Sequence, residues 1–301
     1  MTSPDTPLSS RSLGAYLGLA VGDALGATVE FMTAHEIAGT YGVHRQMVGG
    51  GWLRLRPGRV TDDTEMAIAL GRALLKGPWD LHHVAEAWVD WMRSKPIDIG
   101  NTCRRGLRRY TMDGTLMSPP AEEDGGNGAA MRHLPLAIAT LGDDDLWCER
   151  AVAQAHVTHN HRYSDAATVA LGRMTQALLR GEGMAGARRI ADALVAAHRV
   201  FRFEPWPGNT SGYVVDTMQT VCDAFFHTSD FESCVVRAVN RGGDADTAGA
   251  LAGQLAGAHH GVEAIPARWL RKLDREVQRE IRAQAIALLE LAPQVTAARS
   301  T

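Results

Sequence analysis

Two acidic clusters stand far apart in this chain of 301 residues. One is Thr61-Asp62-Asp63-Thr64-Glu65, and the other is Gly242-Gly243-Asp244-Ala245-Asp246-Thr247. Each opens an apolar, helix-like run, and neither holds a Cys or a His. Carboxylates this dense repel one another unless a cation lies between them. Hard oxygen ligands without sulfur or imidazole suit Mg²⁺ or Mn²⁺ better than zinc or copper. Each cluster also has a plainer explanation, since Thr61 or Asp62 can cap the following helix and acids favour its first turn. Capping needs no paired acids, however, and here they come twice. Asp244 and Asp246, two residues apart, cannot share one helical face, so the Gly242-Gly243 turn must aim them. This is not an EF-hand loop, because Ala248 and Leu255 stand where that loop needs oxygen ligands. Glu30, Asp62, Asp63, Asp244 and Asp246 together carry five negative charges, and two divalent ions would offset four.

Other segments carry weaker signals. Gly125-Gly126-Asn127-Gly128 runs into an apolar stretch and could cradle a phosphate through its backbone N–H groups, or form an ordinary turn. His156, His159 and His161 read as a polar loop with one active-site imidazole rather than a three-histidine metal site. Asp98, after Pro96 and before Gly100-Asn101, is placed for proton chemistry or for capping the next helix. Arg104, Arg105, Arg108 and Arg109 form a basic run, either a solvated helix face or a docking face for something anionic. In the loop from Trp206 to Tyr213, either aromatic could stack on a nucleobase or anchor the loop in the core.

The elements that must position these residues are helical. Apolar periodicity predicts helices over 13–30, 64–76, 81–91, 129–140, 163–179, 187–198, 213–227, 231–240, 248–259 and 267–291. Alternating β-branched runs are scarce, and no linker marks a boundary. The reading is one all-α domain over 1–301, with 1–12 flexible. Glycine is abundant, at 31 residues, and part of it is patterned. Gly14, Gly18, Gly22 and Gly26 recur every fourth residue, as do Gly249, Gly253 and Gly257, which puts each set on one helical stripe. Interior glycine costs about 1 kcal/mol relative to alanine, and close helix–helix approach is the return. The two striped helices are expected to pack together and bring Glu30 and Asp246 to the same end of the core.

Composition excludes some classes. The net charge of −3 argues against a generic nucleic-acid binder. Cys103, Cys148, Cys222 and Cys234 have no C-x-x-C spacing and read as free thiols in a reducing compartment. With no signal-peptide core near the start and no run of 18 uncharged apolar residues, a cytoplasmic protein without direct membrane insertion is expected.

Gly22-Asp23-Ala24-Leu25-Gly26 with Glu30, Thr61-Asp62-Asp63-Thr64, Gly126-Asn127-Gly128-Ala129, Thr158-His159 and Gly243-Asp244-Ala245-Asp246-Thr247 occur in that order. The arrangement resembles the ADP-ribosylglycohydrolase family from Leu13 to Leu291. Gly49-Gly50-Gly51-Trp52-Leu53-Arg54-Leu55, Asp98-Ile99-Gly100-Asn101-Thr102-Cys103-Arg104 and Ser211-Gly212-Tyr213-Val214-Val215-Asp216-Thr217 resemble the nitrogenase-linked branch of that family. The resemblance implies a compact all-α fold with two divalent cations, Mn²⁺ or Mg²⁺, at the bottom of a cleft. It implies Thr61, Asp62, Asp63, Asp244, Asp246 and Thr247 as metal ligands. Asp98, Glu30 and Asp62 would be catalytic, and Asn101, Gly126, Asn127, Gly128, His159 and Tyr213 would bind substrate, with Tyr213 on the adenine. The implied reaction frees ADP-ribose from an arginine of a modified protein, dinitrogenase reductase in that branch. Direct attack by water and prior opening of the ribose ring stay open as alternatives. The branch also implies a PII-type regulatory partner and recruitment to the membrane through a partner. The competing functions are hydrolysis of another linkage such as ADP-ribosyl-serine, two-metal phosphoester hydrolysis, and a non-catalytic structural role.

Overall fold

In the computed structural model, which describes residues 6–299, every regular element is helical. The chain enters α1 (Leu8–Gly26) and then α2 (Ala34–Tyr41), which opens on a capping box between Thr33 and Glu36. A long loop leads to α3 (Asp62–Leu74), followed by α4 (Leu81–Arg93), capped by Asp80, and α5 (Asn101–Asp113), which stops at the left-handed Gly114. Next come α6 (Gly128–Met131), α7 (Leu134–Ala139), α8 (Asp144–His156), α9 (Arg162–Leu179) and α10 (Gly183–Ala197). The last third holds α11 (Val214–Phe226), α12 (Phe231–Val239), α13 (Ala245–His260), α14 (Ala267–Leu270), α15 (Arg275–Leu291) and α16 (Pro293–Arg299).

The two glycine-striped helices, α1 and α13, pair antiparallel at the centre. Gly14 faces Gly257, Gly18 faces Gly253, Gly22 faces Gly249, and Gly26 faces Ala245. A β-carbon at Gly14, Gly18, Gly22 or Gly26 would overlap the partner helix's backbone, so the stripe permits main-chain contact that no other residue allows. Nearly every position of both helices is buried, because α9, α11, α12 and α15 pack around them. Antiparallel pairing puts the end of α1 beside the start of α13, as the spacing predicts, and the chain on either side carries Glu30 and Asp244.

Several boundaries differ from the expected ones. The 129–140 run breaks between α6 and α7, where Pro135, in the first turn of α7, has no N–H to bond back to the Met131 carbonyl. The 267–291 run breaks at Asp274, whose side chain caps α15 while its N–H donates to the Gly58 carbonyl at 3.0 Å. Helices α2, α5, α8 and α16 fall outside the predicted set. The N-terminal stretch expected to be flexible is helical from Leu8, with Ser10, Arg11 and Ser12 buried, while residues 1–5 of it lie outside the described residues. The four cysteines are free. Among the described residues, no helix is long and apolar enough to cross a membrane.

Candidate active site

The start of α3 is fixed by a residue that sequence reading left without a role. Asp23, fully buried in α1, accepts the backbone N–H of Thr61 at 3.0 Å and of Thr64 at 3.2 Å. It also accepts the hydroxyls of Thr61 at 3.0 Å and Thr64 at 2.5 Å. Burial raises its carboxyl to about 6, and these four bonds hold it from rising further. A lone acid in an otherwise apolar helix, matched by the Thr61-x-x-Thr64 pair, was the available signal. Asp23 thereby seats the α3 N-terminus against α1 and turns Asp62 and Asp63 toward α13.

The two acid clusters meet there. Carboxylate oxygens of Glu30, Asp244 and Asp246 lie within 4.8 Å of one another. Asp62 accepts the Gly100 N–H at 3.0 Å, and Asp246 accepts the Thr247 N–H at 2.9 Å. Asp63 Oδ1 is buried without a hydrogen-bond partner. Burial is the main reason these acids resist ionisation, and the other carboxylates add to it. Glu30 is pushed up to about 8 and Asp62 to about 7, while Asp63 and Asp246 stand well above the usual range. A site so costly to ionise, with oxygen donors only and one orphaned buried oxygen, fits divalent cations.

The cleft above these acids has a volume of about 530 Å³. Glu30, Asp62, Asp63, Asp98, Asn101, Gly126, Asn127, Gly128, His159, Asp244, Asp246 and Thr247 all line it. Thr61 does not; it is buried, with its hydroxyl 3.4 Å from Asp63 Oδ2 and 3.5 Å from Asp246 Oδ2. Tyr213 does not line it either. It is 41% exposed, and its backbone pairs with Gly126. Trp206 is engaged elsewhere, donating to Thr220 at 3.1 Å with Arg241 over its ring. Asp98 is half-buried, accepts its neighbour Ile99 N–H at 2.7 Å, and is held above its usual range by burial and then by Asp244.

The glycine-rich loop and the histidine are one construction. Asn127 donates through Nδ2 to Asp244 at 2.8 Å and to Thr217 at 2.9 Å, which ties the loop to the second acid cluster. A β-carbon at Gly128 would come within 2.7 Å of the His159 ring, so the loop can lie on the imidazole only as glycine. Behind His159 runs a buried chain that sequence reading missed. Arg132, stacked 3.8 Å from the Trp88 ring, donates to Thr158 Oγ1 at 2.8 Å, which lies 2.7 Å from His159 Nδ1. Burial, with Arg132 and then Arg105 nearby, holds the imidazole well below its usual range and hence neutral. The other two histidines point elsewhere: His156 pairs with Asp165 at 3.0 Å, and His161 caps α9. Cys103 lines the cleft, but burial pushes its thiol up to about 12, which removes it as a nucleophile at neutral pH. Of the basic run, Arg105 pairs with Asp124, and Arg109 donates to Ser118 at 2.6 Å and to the Val157 carbonyl at 3.0 Å. Arg104 lines the cleft, and Arg108 is exposed.

The sequence profile of ADP-ribosylglycohydrolase matches residues 4–298. The chain belongs to the ADP-ribosylglycohydrolase family. It is 58% identical to the ADP-ribosyl-(dinitrogen reductase) glycohydrolase of Rhodospirillum rubrum, over 97% of this chain and 99% of that protein. It is 32% identical to the ADP-ribosylarginine hydrolase Tri1 of Serratia proteamaculans, over 97% of this chain and 82% of that one. A solved ADP-ribosylglycohydrolase-related protein complex contains a chain with the same fold, with a TM-score of 0.82 and 38% identity, covering 94% of this chain and 98% of that one. This family member is thus a glycohydrolase whose acid clusters, glycine-rich loop and neutral histidine share one cleft.

Proposed function

We propose that this protein removes ADP-ribose from an arginine side chain of modified dinitrogenase reductase, as a single-domain cytoplasmic enzyme that needs divalent cations. The observation that carries the substrate is the 58% identity, over nearly the full length, to the Rhodospirillum rubrum glycohydrolase. The convergence of both acid clusters on one cleft supports the chemistry.

Thr61, Asp62, Asp63, Asp244, Asp246 and Thr247 would hold two ions, Mn²⁺ or Mg²⁺. The bound ions would offset the acid charge and polarise the ribose hydroxyls and the attacking water. The chain's own groups do the rest. The backbone of Gly126, Asn127 and Gly128 receives the ligand's phosphates and ribose, with Asn101 on the opposite wall. Neutral His159 offers a ring nitrogen to that loop's ligand. Asp98 and Glu30, both held above the ordinary carboxyl range, are suited to carry the proton to the departing guanidine nitrogen and to take one from water. With cations bound, the carboxylates of the cluster would stabilise the positive character that the sugar carbon gains as the C–N bond lengthens. Tyr213, beside the loop at the surface, would receive the adenine. A PII-type regulatory partner and recruitment to the membrane through a partner are part of this proposal, supported by the sequence resemblance alone.

The test is release of ADP-ribose from ADP-ribosyl-arginine by the purified protein with Mn²⁺ or with EDTA, alongside Asp62→Ala and Asp246→Ala. Metal-dependent release that both substitutions abolish is expected, and ADP-ribosylated dinitrogenase reductase is the next substrate. Absence of turnover by metal-loaded protein would sink the arginine reading, and phosphate release from nucleotides would favour a phosphoesterase.

A further inference from the structure

Two aromatic side chains stand on the cleft wall with no part in the chemistry above. Phe31 is 66% exposed and Trp52 is 52% exposed, and both line the cleft beside Glu30. Their ring centroids are 5.4 Å apart. The backbone works to keep them there. Phe31 has φ 64, a left-handed conformation that β-carbon sterics disfavour. It is held by main-chain bonds, from its own N–H to the Gly243 carbonyl at 2.7 Å and from the Gly243 N–H to the Met32 carbonyl at 2.8 Å. Trp52 follows Gly49, Gly50 and Gly51, which have φ of 71, 88 and 68. Its indole N–H donates to Glu30 at 2.6 Å. The indole edge is therefore fixed, while both rings keep much of their surface open. Hydrophobic collapse would bury such rings; this fold spends backbone strain on presenting them.

We propose that Phe31 and Trp52 form the subsite for the leaving side of the substrate, a planar guanidinium on an aliphatic stem. The inference rests on the arginine reading above. Trp52 is one hydrogen bond from Glu30, inside the acid cluster where the ribose bond is cut. The adenine lies beyond a diphosphate and a second ribose, so the group within reach of the indole is the one that departs. Guanidinium groups stack on aromatic faces, and the methylene stem packs on a ring. Carboxyl oxygens of Glu30, Asp98 and Asp244 line the same cleft and can accept the N–H donors of a planar guanidinium. The pair thereby selects a cationic linkage.

Phe31→Leu keeps apolar bulk and removes the π face, and Phe31→Tyr restores it. For ADP-ribosyl-arginine, Phe31→Leu is expected to lower kcat/KM through KM by roughly 3- to 30-fold, the range of a cation–π contact. Phe31→Tyr should recover most of that. Calorimetric affinity for free ADP-ribose should stay within about twofold in both variants, because the subsite touches only the leaving group. In protein saturated with ADP-ribose, arginine amide should bind more tightly than its neutral isostere citrulline amide, and Phe31→Leu should erase the difference. Unchanged kinetics in Phe31→Leu, or lost ADP-ribose affinity, would overturn the assignment; the latter would make this a nucleotide contact. If wild-type protein fails to turn over ADP-ribosyl-arginine, the functional reading falls, and the amide comparison alone decides the subsite, equal binding of the two overturning it.

Discussion

Replacing Gly26 by Ala would prise apart the two halves of the acid cluster while leaving most of the α1–α13 contact in place. The new β-carbon meets the Ala245 carbonyl group and the Asp246 Cα, backbone atoms that cannot rotate away. Overpacking of this kind costs typically 1–3 kcal/mol, and rigid obstacles put it at the upper end. Better helix propensity returns about 1 kcal/mol, for a net loss of about 1–2 kcal/mol. Gly14→Ala is the control, since its β-carbon meets the backbone of Gly257 and Gly261 at the far end of the same helix pair. Both variants should lose similar thermal stability in EDTA. Only Gly26→Ala should lose Mn²⁺ affinity, by about 10- to 100-fold, the effect of disturbing the support behind a metal ligand. Titration calorimetry and thermal unfolding measure the two quantities separately. Equal loss of Mn²⁺ affinity in both variants, or none in Gly26→Ala, would refute the idea that the helix contact sets the site.

Two further outcomes follow from the electrostatics. In metal-free protein the folded-state values of Asp23, Asp62 and Glu30, about 6, 7 and 8, lie above the ordinary carboxyl range, so the folded state holds the extra protons. Their contribution to stability is therefore full below about pH 4 and is lost as pH rises through about 6 to 8. Mn²⁺ bound by Asp62 and the neighbouring aspartates would displace protons from the cluster, so the rise in Tm on adding Mn²⁺ should grow from pH 5 to pH 8; an increment independent of pH would count against the site. Arg132 can only donate, which leaves the Thr158 hydroxyl hydrogen free for His159 Nδ1 and puts the imidazole hydrogen on Nε2. Nitrogen-15 NMR should show that tautomer in wild type and Thr158→Ser and lose it in Thr158→Val; an Nδ1–H tautomer in wild type would reverse the assigned direction.

The chemistry was legible because its residue types are unusual for their positions. Paired acids at two helix starts, without sulfur or imidazole, exceed what capping requires, and glycines every fourth residue make sense only where two backbones touch. From those patterns alone follow a cluster of carboxylate oxygens, an all-α fold, and the meeting of Glu30 with Asp246. Helix boundaries were less legible. The break before Pro135 and the cap at Asp274 interrupt apolar runs whose periodicity continues through them, and α8 mixes acids and apolar residues too evenly to declare itself. Some of the site could come only from tertiary structure. Asp23 reads as an interruption in a helix until Thr61 and Thr64, some forty residues later, close around it. Trp52 reads as a loop aromatic until its indole reaches Glu30. The Arg132–Thr158–His159 chain joins α6 to the end of α8, and no local pattern links them. Local sequence specifies residue type and period; which buried group finds which partner is decided by the packing of distant segments, where an unpaired polar atom costs most.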